Sequence, residues 1–255
     1  MFQKHINKLD TLVVGSSHGD FVFNPEFFST SFNACCRSQD LKHSYLLYKQ
    51  LSKENNNIKN VILFYSIFSS ACELEKSPSE KEISLALNEI FHLNIKYQDP
   101  HLQHFAQLIQ GKLDEVAAEI PGNNGFFPDH GKGFFPEEYT AKRRAEDHLK
   151  YNVECLAQIY LEMIIQLAKT QQHKLYILLP PARTDYKQAA GESSHLFRHL
   201  HSTLKELNNP EFIEIINFYD DPKFQDQDFG DFDHLLPKSP GTKHLTEHTK
   251  TIIKK

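Results

Sequence analysis

Thr11-Leu12-Val13-Val14-Gly15-Ser16-Ser17-His18-Gly19 is the stretch of sequence from which both the fold and the site can be predicted. Its first half has the pattern of a short strand, and its second half contains a Gly-x-Ser-x-Gly motif. At a strand-to-helix turn this motif exposes a serine hydroxyl at the edge of a sheet, where it can act as a nucleophile. Glycine suits such a turn because a Cβ would crowd the bend. The stretch therefore predicts a first strand followed directly by a nucleophilic Ser17.

The rest of the chain alternates between apolar runs and helical patterns. Strands are predicted at residues 12–15, 32–36, 61–65, 175–179 and 212–218, and helices at 41–53, 82–91, 102–116, 141–169, a polar stretch around 187–207, and 242–253. Strands that alternate with helices indicate a parallel sheet covered on both faces. We predict one α/β domain over residues 1–255, built as a three-layer α/β/α sandwich around a mainly parallel five-stranded sheet.

Residues 71–140 are too many for one crossover between strands, and they lack clear strand patterns. We therefore predict an inserted helical cap or lid in this region, with an irregular tip at 121–139. The tip contains Gly-Phe-Phe-Pro twice, at 125–128 and 133–136. Two interpretations stay open: a mobile aromatic lid over the site, or a surface loop that its phenylalanines anchor to the core.

A nucleophilic serine needs a histidine within hydrogen-bond reach and an acid that orients the histidine. The segment 230–237 supplies both, because Asp231 precedes His234 by three residues in a loop bounded by Gly and Pro. Asp233 is an alternative acid. A second Asp-x-x-His pair, Asp40 and His43, has a structural explanation, since Asp40 directly precedes a helical pattern and is typical of an N-cap.

The predicted site residues all follow strands. Open parallel sheets bind ligands outside the carboxyl ends of their strands. Ser17, Ser38, Ser66 and the loop that carries Asp231 and His234 fall at such positions in the predicted order of elements. This convergence supports the choice of Ser17 and His234 as partners.

A serine after the first strand and Asp-x-x-His before the last helix resemble the SGNH (GDSL-type) hydrolase superfamily, whose fold is flavodoxin-like. The family's first block is Gly-Asp-Ser, often followed by His, and the match puts Ser17 in the nucleophile's place. Its second block is a strand with Asn that ends at a Gly whose backbone N–H helps to form the oxyanion hole. Here Asn33 and Ser38 occupy those places. The family's third block carries an Asn that this sequence lacks after residue 65, so the third oxyanion donor is not identified.

The resemblance also implies roles for the site residues. Ser17, His234 and Asp231 would form the catalytic triad, with Ser38 as a backbone donor to the oxyanion, and Asn33 is expected to contact substrate. In relatives a basic helix that follows a Gly-Phe-Pro-type loop approaches the active site. By that likeness Arg144 and His148, spaced i,i+4, would contact an anionic group or a carbonyl of the substrate. The alternative is a solvated helix face on which charged residues exchange weak ion pairs.

Composition limits the partners and the location. The net charge is −5, and no basic block is long enough to follow a phosphate backbone, which argues against nucleic acid. The sequence shows no signal peptide and no transmembrane segment, so a soluble cytoplasmic protein is expected. The four cysteines lack metal-site spacing and indicate small buried side chains in a reducing compartment.

The predicted chemistry is acyl transfer through an acyl-serine. The motifs are similar to those of SGNH-like proteins linked to bacterial surface-polysaccharide modification, which implies O-acetylation of a capsular or other polysaccharide. Acetyl-CoA is then the expected acyl donor, and no tightly bound cofactor or metal is predicted. The alternatives are a soluble carbohydrate or lipid esterase on the same triad, a non-catalytic binding or assembly protein, and a metal-dependent phosphoesterase that would use Asp20, Asp231, Asp233 and His234.

Overall fold

A five-stranded, all-parallel sheet forms the centre of the protein. The computed structural model describes residues 8–77, 79–109, 125, 139–150, 156–191, 194–207 and 211–254. The strands are β1 (Thr11–Val14), β2 (Ser31–Asn33), β3 (Asn60–Phe64), β4 (Lys174–Leu179) and β5 (Ile213–Asn217). Their order in the sheet is β2-β1-β3-β4-β5, the flavodoxin-like doubly wound order. The five predicted strands and the α/β class are confirmed, with ends displaced by a few residues.

Helices connect and cover these strands. In the part of the chain that the structure describes they are α1 (Ser17–Asp20), α2 (Leu41–Glu54), α3 (Glu82–Phe91), α4 (Pro100–Ile109), α5 (Ala141–Leu149), α6 (Gln158–Gln171), α7 (Thr184–Ala190), α8 (His195–Leu207) and α9 (Pro240–Ile253). None of these helices combines the length and the apolar character that a membrane span requires.

The two faces of the sheet carry separate hydrophobic layers. Successive side chains of a strand point to opposite faces, so alternate residues of β1, β3 and β4 enter different layers. One layer packs these strands against α2 and α6 through Leu12, Val14, Leu63, Ile177, Leu47 and Leu161. The other packs them against α9 through Val13, Ile62, Phe64, Leu178 and Leu245. The central strands are therefore buried on both sides, as a three-layer sandwich requires.

Two helix predictions need correction. The pattern at 141–169 is not one helix, because α5 ends at Leu149 and α6 begins at Gln158. The two pack in different places, α5 beside α7 and α6 beside α2, which one straight helix does not permit. The polar stretch at 187–207 is also divided. There α7 ends at Ala190 and is followed by Gly191, whose φ of +66° favours glycine.

Part of the predicted cap is described. Helices α3 and α4 pack on each other around a small cluster of their own, Leu85, Tyr97 and Leu102. Residues 110–116 of the predicted helix and most of the tip at 121–139 lie outside the described residues. Within the tip, Gly125 is placed so close to the end of β2 that a Cβ there would lie 1.9 Å from the Asn33 carbonyl oxygen. The extent of the cap stays a prediction.

Candidate active site

The turn after β1 depends on both glycines of the motif. Gly15 has a φ of +143°, and a Cβ there would lie 2.6 Å from the Cβ of Phe64 on β3. A Cβ on Gly19 would lie 2.3 Å from Cys35 Sγ. The chain therefore turns sharply between two close neighbours and begins α1 at Ser17. This packing explains the Gly-x-Ser-x-Gly spacing and fixes Ser17 at the carboxyl end of the sheet.

Ser17, His234 and Asp231 form one hydrogen-bonded chain. The Ser17 hydroxyl lies 2.7 Å from His234 Nε2, although the two residues are 217 positions apart. His234 Nδ1 lies 2.8 Å from Asp231 Oδ2. The other Asp231 oxygen accepts the backbone N–H groups of Asp233 and His234, at 3.0 and 2.8 Å. Because a carboxylate only accepts, it places the proton on Nδ1 and leaves Nε2 to accept from the serine.

Backbone bonds hold the loop of His234. Gly230 N–H donates to the carbonyl of His234 at 2.9 Å, and Leu236 N–H donates to that of Asp228 at 2.8 Å. The Asp228 carboxylate also accepts the N–H of Gly241 at the start of α9. Hydrogen bonds within this loop and between the loop and α9 therefore hold the imidazole of His234 in position.

The structure separates the roles of the two possible acids. Asp231 bonds directly to His234 Nδ1, whereas Asp233 Oδ1 lies 3.6 Å from it. Arg144 binds Asp233 instead, with Nε 3.0 Å from Oδ1 and Nη2 3.3 Å from Oδ2. His18 Nε2 lies 3.3 Å from the same carboxylate. The geometry therefore assigns the orienting position to Asp231.

His18 was given no role by the sequence, yet it lies inside the site. Its ring stacks on that of His234 at 4.6 Å between centroids and 24° between planes. Its Nδ1 lies 3.0 Å from Ser66 Oγ and 3.2 Å from Ser16 Oγ. The only sequence signal was its position directly after the motif serine.

Burial and charge shift the pKa values of these groups in different directions. Burial lowers the pKa of His234, but Asp233 and Asp231 outweigh burial and raise it above its ordinary value. Burial lowers the pKa of His18. Burial, helped by Arg144, lowers that of His148 to about 3. Burial raises the pKa of Asp231 and Asp233, but the positive partners overcome this and both values fall below the ordinary range.

A cavity of about 810 Å³ opens beside Ser17. This volume lies within the usual range for a small-molecule site. Its wall is mixed, with hydroxyls, acids, bases and an aromatic ring, and it includes Ser16, Ser17, Ser38, Phe68, Cys72, Glu80, Tyr139, Arg144, Asp147 and His148.

Ser38 lies in this wall with a φ of +60°, the left-handed conformation that favours glycine. Its hydroxyl donates to Glu80. Within the described part of the chain, the backbone N–H of Ser38 has no hydrogen-bond acceptor, and neither has that of Ser17. Both N–H groups are thus available to an oxyanion beside Ser17, and the donor role of Ser38 stays a prediction.

The three expected substrate contacts differ in outcome. Arg144 and His148 line the cavity, although Arg144 pairs with Asp233 and His148 Nδ1 lies 2.6 Å from the Tyr186 hydroxyl. The predicted substrate contact of Asn33 needs correction. Its amide donates to the carbonyls of Gly19 and Phe23 and accepts the N–H of Cys35, so its polar atoms connect β2 to α1.

The solvated-face alternative describes other residues of α5. Arg143 pairs with Asp147 at 3.5 Å and Lys142 approaches Glu146 at 4.0 Å, all on a partly or well exposed surface. Arg144 faces inward. Its exposed fraction is 21%, against 58% for Arg143.

A second Ser–His–Asp arrangement lies in the core. Asp40 caps α2 as predicted, and its Oδ1 lies 2.7 Å from His43 Nδ1. His43 Nε2 lies 2.7 Å from Ser84 Oγ, and the Tyr97 hydroxyl covers the serine at 3.2 Å. Ser84 and His43 are fully buried and do not line the cavity. The hydrogen-bond distances in the two arrangements are therefore nearly the same. The arrangements differ in whether the serine borders the cavity.

The acids and histidines of the site fit a hydrogen-bonded network better than a metal ion. His18, Asp233 and His234 offer ligand atoms within 4.8 Å of one another. However, His234 uses both nitrogens in hydrogen bonds, and the Arg144 guanidinium already neutralises Asp233. A cation placed there would meet a fixed positive charge and would have to displace these partners.

The described cysteines do not supply thiolates that could bind a metal ion or act as nucleophiles. Burial raises the thiol pKa of Cys36 and Cys72 to about 12 and that of Cys35 well above its ordinary value. These thiols are therefore neutral near pH 7. Cys35 is buried as the sequence predicted, whereas Cys36 and Cys72 are half-buried.

No known family model matches this chain, and no curated protein is similar to it. The resemblance to SGNH hydrolases therefore rests on the motifs quoted above.

Proposed function

We propose that this protein transfers an acyl group through a covalent acyl-Ser17 intermediate. The supporting observation is the hydrogen-bonded chain from Ser17 through His234 to Asp231, which borders a cavity of about 810 Å³. A serine, a base and an orienting acid in this arrangement are the parts that nucleophilic acyl transfer needs.

In the proposed reaction, His234 Nε2 accepts the Ser17 proton while Oγ attacks the carbonyl carbon of an ester or thioester. Asp231 holds the imidazole and stabilises its positive charge. The protonated ring then gives the proton to the departing alkoxide or thiolate. In the second half, His234 takes a proton from the acceptor as the acceptor oxygen attacks the acyl-serine carbonyl, and the ring then returns that proton to the departing Ser17 Oγ.

Backbone N–H groups are the proposed oxyanion donors. Those of Ser17 and Ser38 have no acceptor among the described residues, and both serines border the cavity. One such donor contributes about 3–4 kcal/mol to transition-state stabilisation in enzymes where it has been measured.

The proposed acceptor is a sugar hydroxyl of a bacterial capsular or other surface polysaccharide, and the proposed donor is acetyl-CoA in the cytoplasm. This narrower assignment rests on the family resemblance. The second candidate is a soluble carbohydrate or lipid esterase, in which water is the acceptor. The polar wall around Ser38 and Glu80 favours it, because such a wall can hold water beside Ser17.

Covalent labelling by a fluorophosphonate tests the proposal. We expect labelling of the wild type and its complete loss in Ser17→Ala. The matched control is Ser84→Ala, since Ser84 makes the same 2.7 Å contact to a histidine without access to the cavity. Ser16→Ala should also keep the label. An unlabelled wild type, or label that persists in Ser17→Ala, would instead favour the non-catalytic binding or assembly protein.

Acetyl-CoA consumption, measured with and without a bacterial polysaccharide, then separates the two activities. Consumption that requires the polysaccharide supports the transferase. Hydrolysis of aryl acetate esters without acetyl-CoA consumption supports the esterase.

A further inference from the structure

We propose that Arg144 is a positioning residue that acts through Asp233 and keeps His234 able to accept the Ser17 proton near neutral pH. This inference rests on the proposed function and replaces the expectation that Arg144 chiefly contacts substrate.

The first step is that two carboxylates face one imidazole. Asp231 lies 2.8 Å from His234 Nδ1 and Asp233 lies 3.6 Å from the same atom. Both acids are buried, with exposed side-chain fractions of 4% and 3%, so water screens them weakly. Opposite charges this close to a histidine favour its protonated form. A histidine held permanently protonated has no lone pair on Nε2 and cannot act as a base.

The second step is that Arg144 offsets one of these charges. Its guanidinium binds both oxygens of Asp233, at 3.0 and 3.3 Å, so that a full positive charge lies against that carboxylate. The pairing leaves Asp231 as the uncompensated acid at His234. In agreement, Arg144 acts to lower the pKa of His234 while Asp233 and Asp231 act to raise it.

The other titratable groups around His234 do not replace this effect. His18 from α1 stacks on the ring, and His148 lies on α5 one turn after Arg144. Burial is the largest influence on both histidines and lowers their pKa values, so both are neutral near pH 7. Among the described charged groups that act on His234, Arg144 is therefore the cation that balances Asp233.

The test measures the protonation of His234 in two ways. The first is the pH dependence of the fluorophosphonate labelling rate at Ser17, whose acid limb reports the base in the free enzyme. The second is an NMR titration of the His234 ring, assigned by comparison with His234→Gln, which needs no activity. Four variants are compared with the wild type: Arg144→Gln, Arg144→Lys, Asp233→Asn and the double variant Arg144→Gln/Asp233→Asn.

We expect Arg144→Gln to move the midpoint upward by about one pH unit, because it leaves Asp233 uncompensated. Asp233→Asn should move the midpoint downward by a similar amount. Arg144→Lys and the double variant should restore it to near the wild-type value, since each keeps the local charge balance. A purely structural role of Arg144 predicts slower labelling at every pH with an unmoved midpoint, and that result would overturn the inference.

Failure of the two proposals gives different results. If the wild type is not labelled, the proposed function fails, and the NMR midpoints still decide whether Arg144 controls the charge of His234. If labelling occurs but the midpoints of Arg144→Gln and wild type coincide, only the present inference fails. If Arg144→Gln does not fold, Asp233→Asn tests the inference instead. An unmoved midpoint in that variant also rejects the inference.

Discussion

At the scale of single residues, the protein contains two Ser–His–Asp arrangements with nearly the same distances and very different surroundings. Ser17 borders a large cavity, whereas Ser84 is closed off by Tyr97 in the core. In the core such a network satisfies buried polar groups and specifies packing. Beside a cavity the same contacts can activate a nucleophile. The difference lies in what can reach the serine.

Replacement of Asp231 by Asn should slow labelling of Ser17 by about 10⁴-fold at neutral pH. The Asn amide can donate to His234 Nδ1, which would place the ring proton on Nε2 and remove the acceptor for the serine. Asp40→Asn, in the buried arrangement, serves as the control and should leave the labelling rate of the folded protein unchanged. Equal rates for Asp231→Asn and wild type would contradict the assignment of Asp231.

At the scale of elements, the turn between β1 and α1 is the most constrained connection in the site. Gly15 combines a positive φ with a close approach to Phe64, and its carbonyl accepts the N–H of Cys36 at 3.2 Å. The turn therefore contacts β3 and the segment that follows β2, directly before Ser17. In contrast, Gly191, which follows α7, has a positive φ, but among the described residues no atom outside its chain neighbours lies within 4 Å of an added Cβ.

These two glycines predict different costs of substitution. Gly15→Ala should lower the free energy of unfolding by about 3 kcal/mol or more, since it adds both strain and overlap. Gly191→Ala adds only the backbone strain of a positive φ and should cost about 1–2 kcal/mol. Urea unfolding followed by circular dichroism measures both. Equal losses for the two variants would show that the contact with Phe64 does not constrain the turn.

At the scale of the whole molecule, the sheet brings together groups from both ends of the chain. The carboxyl end of β1 supplies Ser17, and the loop before α9 supplies Asp231 and His234. Helix α5 contributes Arg144 and His148 to the same site. The result is a buried cluster of ionisable groups, so the stability of the fold depends on pH.

Stability should fall as the pH is lowered from 7 towards 4. His18 and His148 have lowered pKa values in the fold, so the unfolded chain binds more protons below pH 6.5 and gains stability relative to the native state. A histidine that stays neutral throughout this range, as His148 does, contributes up to about 1.4 kcal/mol per pH unit. His234, with a raised pKa, contributes in the opposite direction over a range above its ordinary value.

His148→Asn provides the check on this pH dependence. The amide can keep a bond to Tyr186 but does not titrate, so urea unfolding between pH 6.5 and 4.5 should show a shallower loss of stability than in the wild type. An unchanged slope would mean that His148 is not held neutral in the fold.

The sequence by itself determined the parallel α/β sheet, the five strands, the turn at Ser17 and the loop that carries His234 with its two candidate acids. These features depend on hydrophobic periodicity and on spacings of a few residues, which are local. Only the tertiary structure showed that His18 stacks on His234, that Asn33 connects β2 to α1, and that residues 141–169 form two helices. It also paired Arg144 with Asp233, 89 positions away. Such contacts depend on how separate elements pack together, so they cannot be predicted from the spacing of residues along the chain.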